Sequence, residues 1–460
     1  MFIIRGVNMN GLSSRRRPTS LWLLAASILA ATARPALADG APTATTADDA
    51  GPLAIHGQAT VVAQGVGGFA SPYAGANSLA PDQVKETFDA TLFLGIRPWR
   101  GGEIWVNPEI DQGFGLSDTL GVAGFPSAEA YKVGKSAPYF KLQRAVLRQT
   151  IGLGDESGKI DAAANQFAGS QPANRLVVTL GKFSVGDVFD TNKYAHDPRG
   201  DFLNWALVDT GTFDYAANAW GYTIGGAAEL VAGDWSLRAG YFNLSKVPNG
   251  EALETGFAQT MLVGELEHRH TLAGHPGAVR LTVFRNHGRF GRFDDALALA
   301  ATSGALPDTA RVRRPMHRDG VAFNAEQEVT ATLGLFVRAG ASDPAIEPFD
   351  FSDIDRTLAL GGALKGKGWS RGDDTLGFAV LANSIGAAHR AYLAAGGIGI
   401  LVGDGALPHY GPEHVVEAYY DIKLPVHLDL TLDAQHVVNP GYNRDRGPAT
   451  VFAARLHWAM

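Results

Sequence analysis

The chain has 460 residues, a formal net charge of -7, 46% hydrophobic residues and no cysteine. The missing cysteines exclude disulfides, thiol catalysis and thiolate metal sites together, and the acidic balance argues against a nucleic-acid partner. A mean hydropathy of -0.02 would suit a soluble protein, but strands that are apolar only at every second residue give the same average.

Residues 1–38 read as an address. Arg15, Arg16 and Arg17 form a basic start, 21–33 an apolar core, and Ala36-Leu37-Ala38 a small-residue cleavage site before Asp39. This leader carries five arginines and no acids, so its removal takes the net charge from -7 to -12. The paired arginines also suit a twin-arginine signal, but the ordinary secretory route, which exports chains unfolded, is favoured. Residues 39–53 read as a flexible lead-in. No later stretch approaches the ~20 apolar residues of a spanning helix, and no linker or charge block divides 54–460, which is predicted to be one domain.

From Ile55 onward the side chains alternate with a period of two through about sixteen strand-like segments, and the connectors are short and long almost in strict turn. The short ones are 98–102, 232–233, 271–276, 331–332, 367–373 and the single step at Leu424. The long ones, rich in Gly, Pro, Asp and Asn, are 65–85, 112–138, 184–219, 244–257, 288–318, 343–355, 385–410 and 438–448. The pattern predicts an all-β fold, a transmembrane antiparallel β-barrel of about 16 strands with short periplasmic turns, long external loops and both termini on the periplasmic side. Connector 152–173 breaks the rhythm, being long where a short turn belongs.

Individual strands show the two faces. In 86–97, Phe88, Ala90, Leu92, Leu94 and Ile96 form an apolar row against Asp89, Thr91 and Arg97. In 103–111, Ile104, Val106, Pro108 and Ile110 alternate with Glu103, Trp105, Asn107, Glu109 and Asp111. Strand 140–151 is ambiguous, because Gln143 and Gln149 occupy the face opposite Arg144 and Arg148. Trp99, Trp235, Trp369 and Trp458 all fall at the short-turn end, where an indole prefers the membrane interface. The last strand, 451–460, sets Phe452, Ala454, Leu456, Trp458 and Met460 against Arg455 and His457, similar to the terminal strand of outer-membrane proteins except that Met460 replaces the terminal aromatic.

Several segments carry a family resemblance: His56-Gly57-Gln58-Ala59-Thr60, Ser71-Pro72-Tyr73 with Asn77-Ser78-Leu79, Asn107-Pro108-Glu109, Arg148-Gln149-Thr150, the run Asn192 to Arg199, Asp201-Phe202-Leu203-Asn204-Trp205, Trp220-Gly221-Tyr222-Thr223 and Gly396-Gly397-Ile398-Gly399. In this order, from about Ile55 to Met460, the chain resembles the carbohydrate-selective porins of the OprB type. The resemblance implies a sixteen-stranded outer-membrane channel for the passive diffusion of mono- or oligosaccharides, without cofactor or energy coupling.

Sixteen strands enclose a channel too wide to select by itself, so loops and inward side chains must narrow it. Loop 184–219, the longest, is the candidate constriction. Its rings Phe189, Tyr194, Phe202, Trp205, Phe213 and Tyr215 suit either stacking on the C–H faces of sugars or the small core of a compact loop. Strand depth adds Trp105, Asn107 and Glu109 beside Arg144 and Arg148 as candidate lining, a mixture of acids and arginines that would set a field across the pore and offer donors and acceptors to hydroxyls. Further inward charge is expected at Glu265, Glu267, Arg269, Asn324, Glu326, Glu328, Arg338, Glu417, Asp421, Asp429 and Asp433, mostly as wall. The named candidates are thus Trp105, Asn107, Glu109, Arg144, Arg148, Tyr194 and Trp205.

Enzyme motifs are poor. Gly368-Trp369-Ser370-Arg371-Gly372 matches G-x-S-x-G but falls in a hairpin turn rather than a strand-to-helix elbow. His268 with His270, and Asp350, Asp353 and Asp355, lack a ligand-spaced pattern and read as surface features. Residues 294–302 look like a short loop helix. Two rivals to a sugar channel remain, a general diffusion porin and an outer-membrane barrel enzyme. Expected partners are sugars and outer-membrane lipid, as a homotrimer or a monomer.

Overall fold

The computed structural model describes residues 51–130 and 133–460; the expected leader and nearly all of the lead-in lie outside the described residues. The chain runs through β1 (Leu53–Val66), β2 (Gln83–Trp99), β3 (Gly102–Gly113), β4 (Lys135–Gly152), β5 (Ser157–Ile160), β6 (Gly169–Pro172), β7 (Arg175–Phe183), β8 (Thr223–Ala232) and β9 (Trp235–Asn243). It continues through β10 (Thr260–Leu272), β11 (His275–Phe290), β12 (Arg314–Thr330), β13 (Leu333–Ser342), β14 (Arg356–Gly366), β15 (Arg371–Ser384), β16 (Glu413–Leu424), β17 (Leu428–Val438) and β18 (Ala449–Ala459). Sixteen of these close into one antiparallel barrel, sealed by β1 against β18, while β5 and β6 form a separate two-stranded sheet. Closure pairs the strand edges that lipid could not satisfy.

The alternation sorts side chains as the period of two demands. On β2, Leu92, Leu94 and Ile96 are exposed while Thr91 and Phe93 are buried. On β18, Phe452 and Leu456 point outward and Arg455 is wholly buried. Trp99, Trp235 and Trp369 are exposed at the short-turn rim, and two of them keep their indole N–H satisfied, Trp99 by Gln149 Oε1 at 2.6 Å and Trp369 by the Tyr420 hydroxyl at 2.9 Å.

The ambiguity of the fourth strand has a physical cause. Asn107 of β3 faces Arg144 of β4 while Pro108 faces Leu142, so Gln143 is an extra residue, a β-bulge. Pro108, lacking an N–H, is a residue suited to such a break. Above the bulge Lys141 and Gln143 turn inward beneath exposed Phe140 and Leu142; below it Arg144, Val146, Arg148 and Thr150 do, and Gln149 joins the tryptophan rim.

Strand β7 has nine residues against eighteen in β4 and leaves the wall at Phe183. The 184–222 loop therefore enters the lumen part-way up the barrel. The expected loop helix is present as Phe293–Ser303, and a second, Ala387–Ala394, packs near it through Phe293 and Tyr392, whose ring centroids are 5.1 Å apart.

Candidate functional site

The inward loop opens with a capping box, in which Ser184 and Asp187 satisfy each other's backbone groups. Asp187 also meets the wall. Arg144 grips its carboxylate at both oxygens, Nε to Oδ2 at 2.8 Å and Nη2 to Oδ1 at 2.6 Å, and lies 5.0 Å from the ring of Tyr222. Burial pushes the Asp187 carboxyl up, but the Arg144 charge and its hydrogen bonds outweigh this and hold it below the usual carboxylate range.

Beyond Asp187 the loop is pinned by charged groups of the inner wall that meet its backbone. Glu265 Oε2 accepts from Asp190 N at 2.8 Å, Glu326 Oε2 from Lys193 N at 2.6 Å, and Glu417 from Leu203 N at 2.6 Å and Asn204 N at 3.1 Å. Arg338 of β13, with no exposed surface, pairs with Asp190 and donates to the carbonyls of Ala195 at 2.7 Å and Val208 at 3.0 Å. Other loops follow the same scheme. Glu413 of β16 accepts from Ala123 N, Gly124 N and Gly441 N, each at 2.9 Å. Loops also hold one another: Asp353, between β13 and β14, accepts from Leu401 N at 2.5 Å and Val402 N at 3.0 Å, and with Asp350 and Asp355 it is buried rather than a surface feature. Glu265, Glu326 and Glu417, expected as inward charge of the wall, thus hold the inward loop, each offsetting its desolvation with charge-assisted bonds.

The loop's rings are mostly its core. Phe189, Phe202 and Phe213 are fully buried, and Trp205 is stacked on Phe125 with centroids 5.6 Å apart. Tyr194 is half-buried and fills the space above Gly334, where a Cβ would come within 2.0 Å of the ring. Asp209, in the same loop, is pushed up to about 6 by burial, partly offset by His196 beside it at 3.9 Å.

The seven expected lining residues separate into three groups. Arg144 and Arg148 border an open cavity of about 380 Å³ below the loop. Trp105, Asn107 and Glu109 are inward but covered: Trp105 lies under Phe167 at 4.9 Å, and Glu109 accepts from Thr91 Oγ1 at 2.6 Å and Gln143 Nε2 at 2.9 Å. Trp205 lies in the loop core and Tyr194 against the wall, because the loop lies along the inner face and takes these residues into its packing. The register sets Arg148 opposite Glu103 and Arg144 opposite Asn107, so acids and arginines are neighbours along the wall.

The sequence reading missed Asp187 and the charges Arg175, Glu229 and Arg238 on β7 to β9, which share the same cavity. Arg238 pairs with Glu229 and bonds Glu265 Oε1 at 2.6 Å. Their inward parity was readable, but nothing in the sequence showed that the loop leaves this sector of wall uncovered. The G-x-S-x-G match is the β14–β15 turn, with Ser370 at φ 63 and β15 directly after it. Among the described residues no group of three or more His, Cys, Asp or Glu is placed to hold a metal ion.

A closed sixteen-stranded barrel with an outward apolar face, an interfacial tryptophan rim and inward-folded loops is an outer-membrane porin. The chain matches the carbohydrate-selective porin family, OprB, over residues 76–460, and it belongs to that family. OprB of Pseudomonas putida superposes with a TM-score of 0.68 at 17% identity, over 89% of this chain and 94% of that one. The outer-membrane channel DcaP of Acinetobacter baumannii gives 0.48 at 9% identity, over 89% and 97%. OccK2 of Pseudomonas aeruginosa, in complex with glucuronate, gives 0.44 at 10% identity, over 89% and 98%. No curated protein matches the chain. The protein is an outer-membrane channel for the passive diffusion of sugars.

Proposed function

We propose that sugar selectivity resides at the level of Arg144 and Asp187, where the inward loop meets the β4 wall, with Arg148 as the next contact below. The observation that carries this is the two-point grip of Arg144 on Asp187 at the roof of the open cavity. A guanidinium fixed by a carboxylate on one side and backed by the buried Tyr222 ring on the other sets donors and acceptors side by side for the hydroxyls of a sugar. Trp105, Asn107, Glu109, Tyr194 and Trp205 act one layer back, holding the wall and loop that set the width. No catalytic step is assigned to any residue; passage is diffusive and needs no cofactor.

The test is single-channel recording of the mature protein in planar bilayers during titration with glucose, maltose and a control salt. Saturable block by one sugar, weakened in Arg144→Ala and Arg148→Ala and less so in Glu109→Ala, supports the reading. Ohmic current indifferent to every sugar would make the protein a general diffusion channel.

A further inference from the structure

The long connector at 152–173 is folded into the lumen. Its arms pair as β5 and β6, its base is closed by Leu153 N to Asn174 O at 2.9 Å and Ala173 N to Glu156 O at 2.8 Å, and its far end by Ala163 and Gln166 bonding each other. That end is seated on the inner wall. Phe167, 3% exposed, lies against Trp105, and the Arg97 guanidinium covers its ring at 4.3 Å. Arg97 also donates to the Ala168 carbonyl at 3.2 Å, and Arg148 Nη1 to the Asn165 carbonyl at 2.8 Å. Two inward arginines of the wall thus spend donors on the hairpin backbone, which ties hairpin and wall into one unit.

The hairpin divides the space beneath the loop. The cavity of about 380 Å³ has Asp187 and Thr191 of the external loop above it and Asn165, Gln166 and Gln171 of the hairpin below. A second cavity, of about 390 Å³, lies on the other side, bordered by His56 of β1 and the C-terminal Met460. Ala164 borders both. Arg144 and Arg148 are four residues apart on one strand, so the loop level and the hairpin level are separated by roughly 10 Å along the barrel axis at a rise of ~3.3 Å per residue and a usual tilt. The first cavity also falls within the ~300–1,000 Å³ of small-molecule sites.

Resting on the lumen as the sugar path, we propose that the 152–173 hairpin is a second, exit-side constriction, in series with the Arg144–Asp187 level, and that the chamber between them holds a single sugar unit before release. The chamber's amides and guanidinium groups suit the hydroxyls of a monosaccharide-sized polyol, and its short height excludes a longer chain from lying within it. Size selection is therefore exercised twice, once from the external loop and once from the periplasmic hairpin.

The experiment compares wild type with a variant in which residues 154–173 are replaced by Asn-Gly, the two-residue turn that suits this β-hairpin. Folding is checked by heat-modifiable migration, and conductance and liposome swelling are measured with a series of glucose oligomers. Two comparable resistances in series predict conductance about 1.5- to 2-fold above wild type and a higher oligomer cut-off. A folded variant with unchanged conductance and cut-off overturns the proposal. Should excision prevent folding, two point variants decide. Ala164→Trp is expected to lower conductance and Phe167→Ala, which unseats the hairpin end, to raise it; no change in either overturns the proposal. Sugar block of the wild type tests the sugar path, so failure there is told apart from failure of the hairpin.

Discussion

Arg338 on β13 and Asp190 in the inward loop are both wholly buried and paired, and the same guanidinium also holds the carbonyls of Ala195 and Val208. One side chain thus fastens two segments of the constriction loop to the wall. Removing one partner of a buried pair leaves the other charge uncompensated, at a cost of about 3–5 kcal/mol. Arg338→Ala should lower the barrel's unfolding midpoint and give noisy, larger single-channel currents, with Asp190→Asn giving a smaller version of the same change. Quiet currents of wild-type size in Arg338→Ala would show that the loop stays in place without this anchor.

The Arg144–Asp187 contact sets a charge where the lumen narrows. Arg144→Ala leaves Asp187 without its partner and should shift the reversal potential in a salt gradient toward cations. Asp187→Asn should shift it toward anions. Because burial acts against the Asp187 charge but Arg144 more than compensates, the carboxylate stays ionised to below its usual range. The wild-type potential should accordingly stay flat in this term from neutral pH down to about pH 4, given the ordinary aspartate value of ~3.9.

Asp209 works in the opposite direction. Its folded value is about 6, raised by burial, so the folded state holds this proton more tightly than the unfolded chain. The contribution therefore favours folding below about pH 4 and is lost as pH rises through about 6, leaving a penalty on the order of 3 kcal/mol at pH 8. Asp209→Asn mimics the protonated form. It should raise the urea midpoint at pH 8 and leave it nearly unchanged at pH 4; an equal effect at both values would assign the gain to something other than protonation.

Gly95 of β2 lies beneath Trp105, and a Cβ there would come within 2.6 Å of the ring. Gly95→Val must displace Trp105 and with it Phe167. Overpacking of this kind costs about 1–3 kcal/mol. The expected signs are a lower unfolding midpoint and a change in tryptophan fluorescence, and unchanged spectra would mean that the indole had room to spare.

Much of the barrel was legible because lipid and water sort side chains at every second position, as Leu92, Leu94 and Ile96 show against Thr91 and Phe93. The extra residue at Gln143 was not, since one insertion reverses the alternation within a strand and reads as noise until the partner strand is known. Inward parity found Trp105, Asn107, Glu109, Arg144 and Arg148 alike. It could not distinguish those the loop covers from those left beside open space, because cover depends on where β7 ends and on which wall carboxylates capture loop amides far away in sequence. Glu417 meeting Leu203 and Asn204 is such a case. The 152–173 connector announced itself only by its length; its seat on Trp105 needed three-dimensional proximity.

The bulge at Gln143 makes the charge of the passage a matter of counting. Without that residue, one half of β4 would have to rotate by a full position against its neighbours. Either Lys141 would turn toward lipid, or Arg144 and Arg148 would, at a cost of about 2–4 kcal/mol for a residue at the bilayer midplane and about 0–1 kcal/mol near the interface. The single extra residue is thus what lets Lys141 above it and Arg144 and Arg148 below it all face the passage.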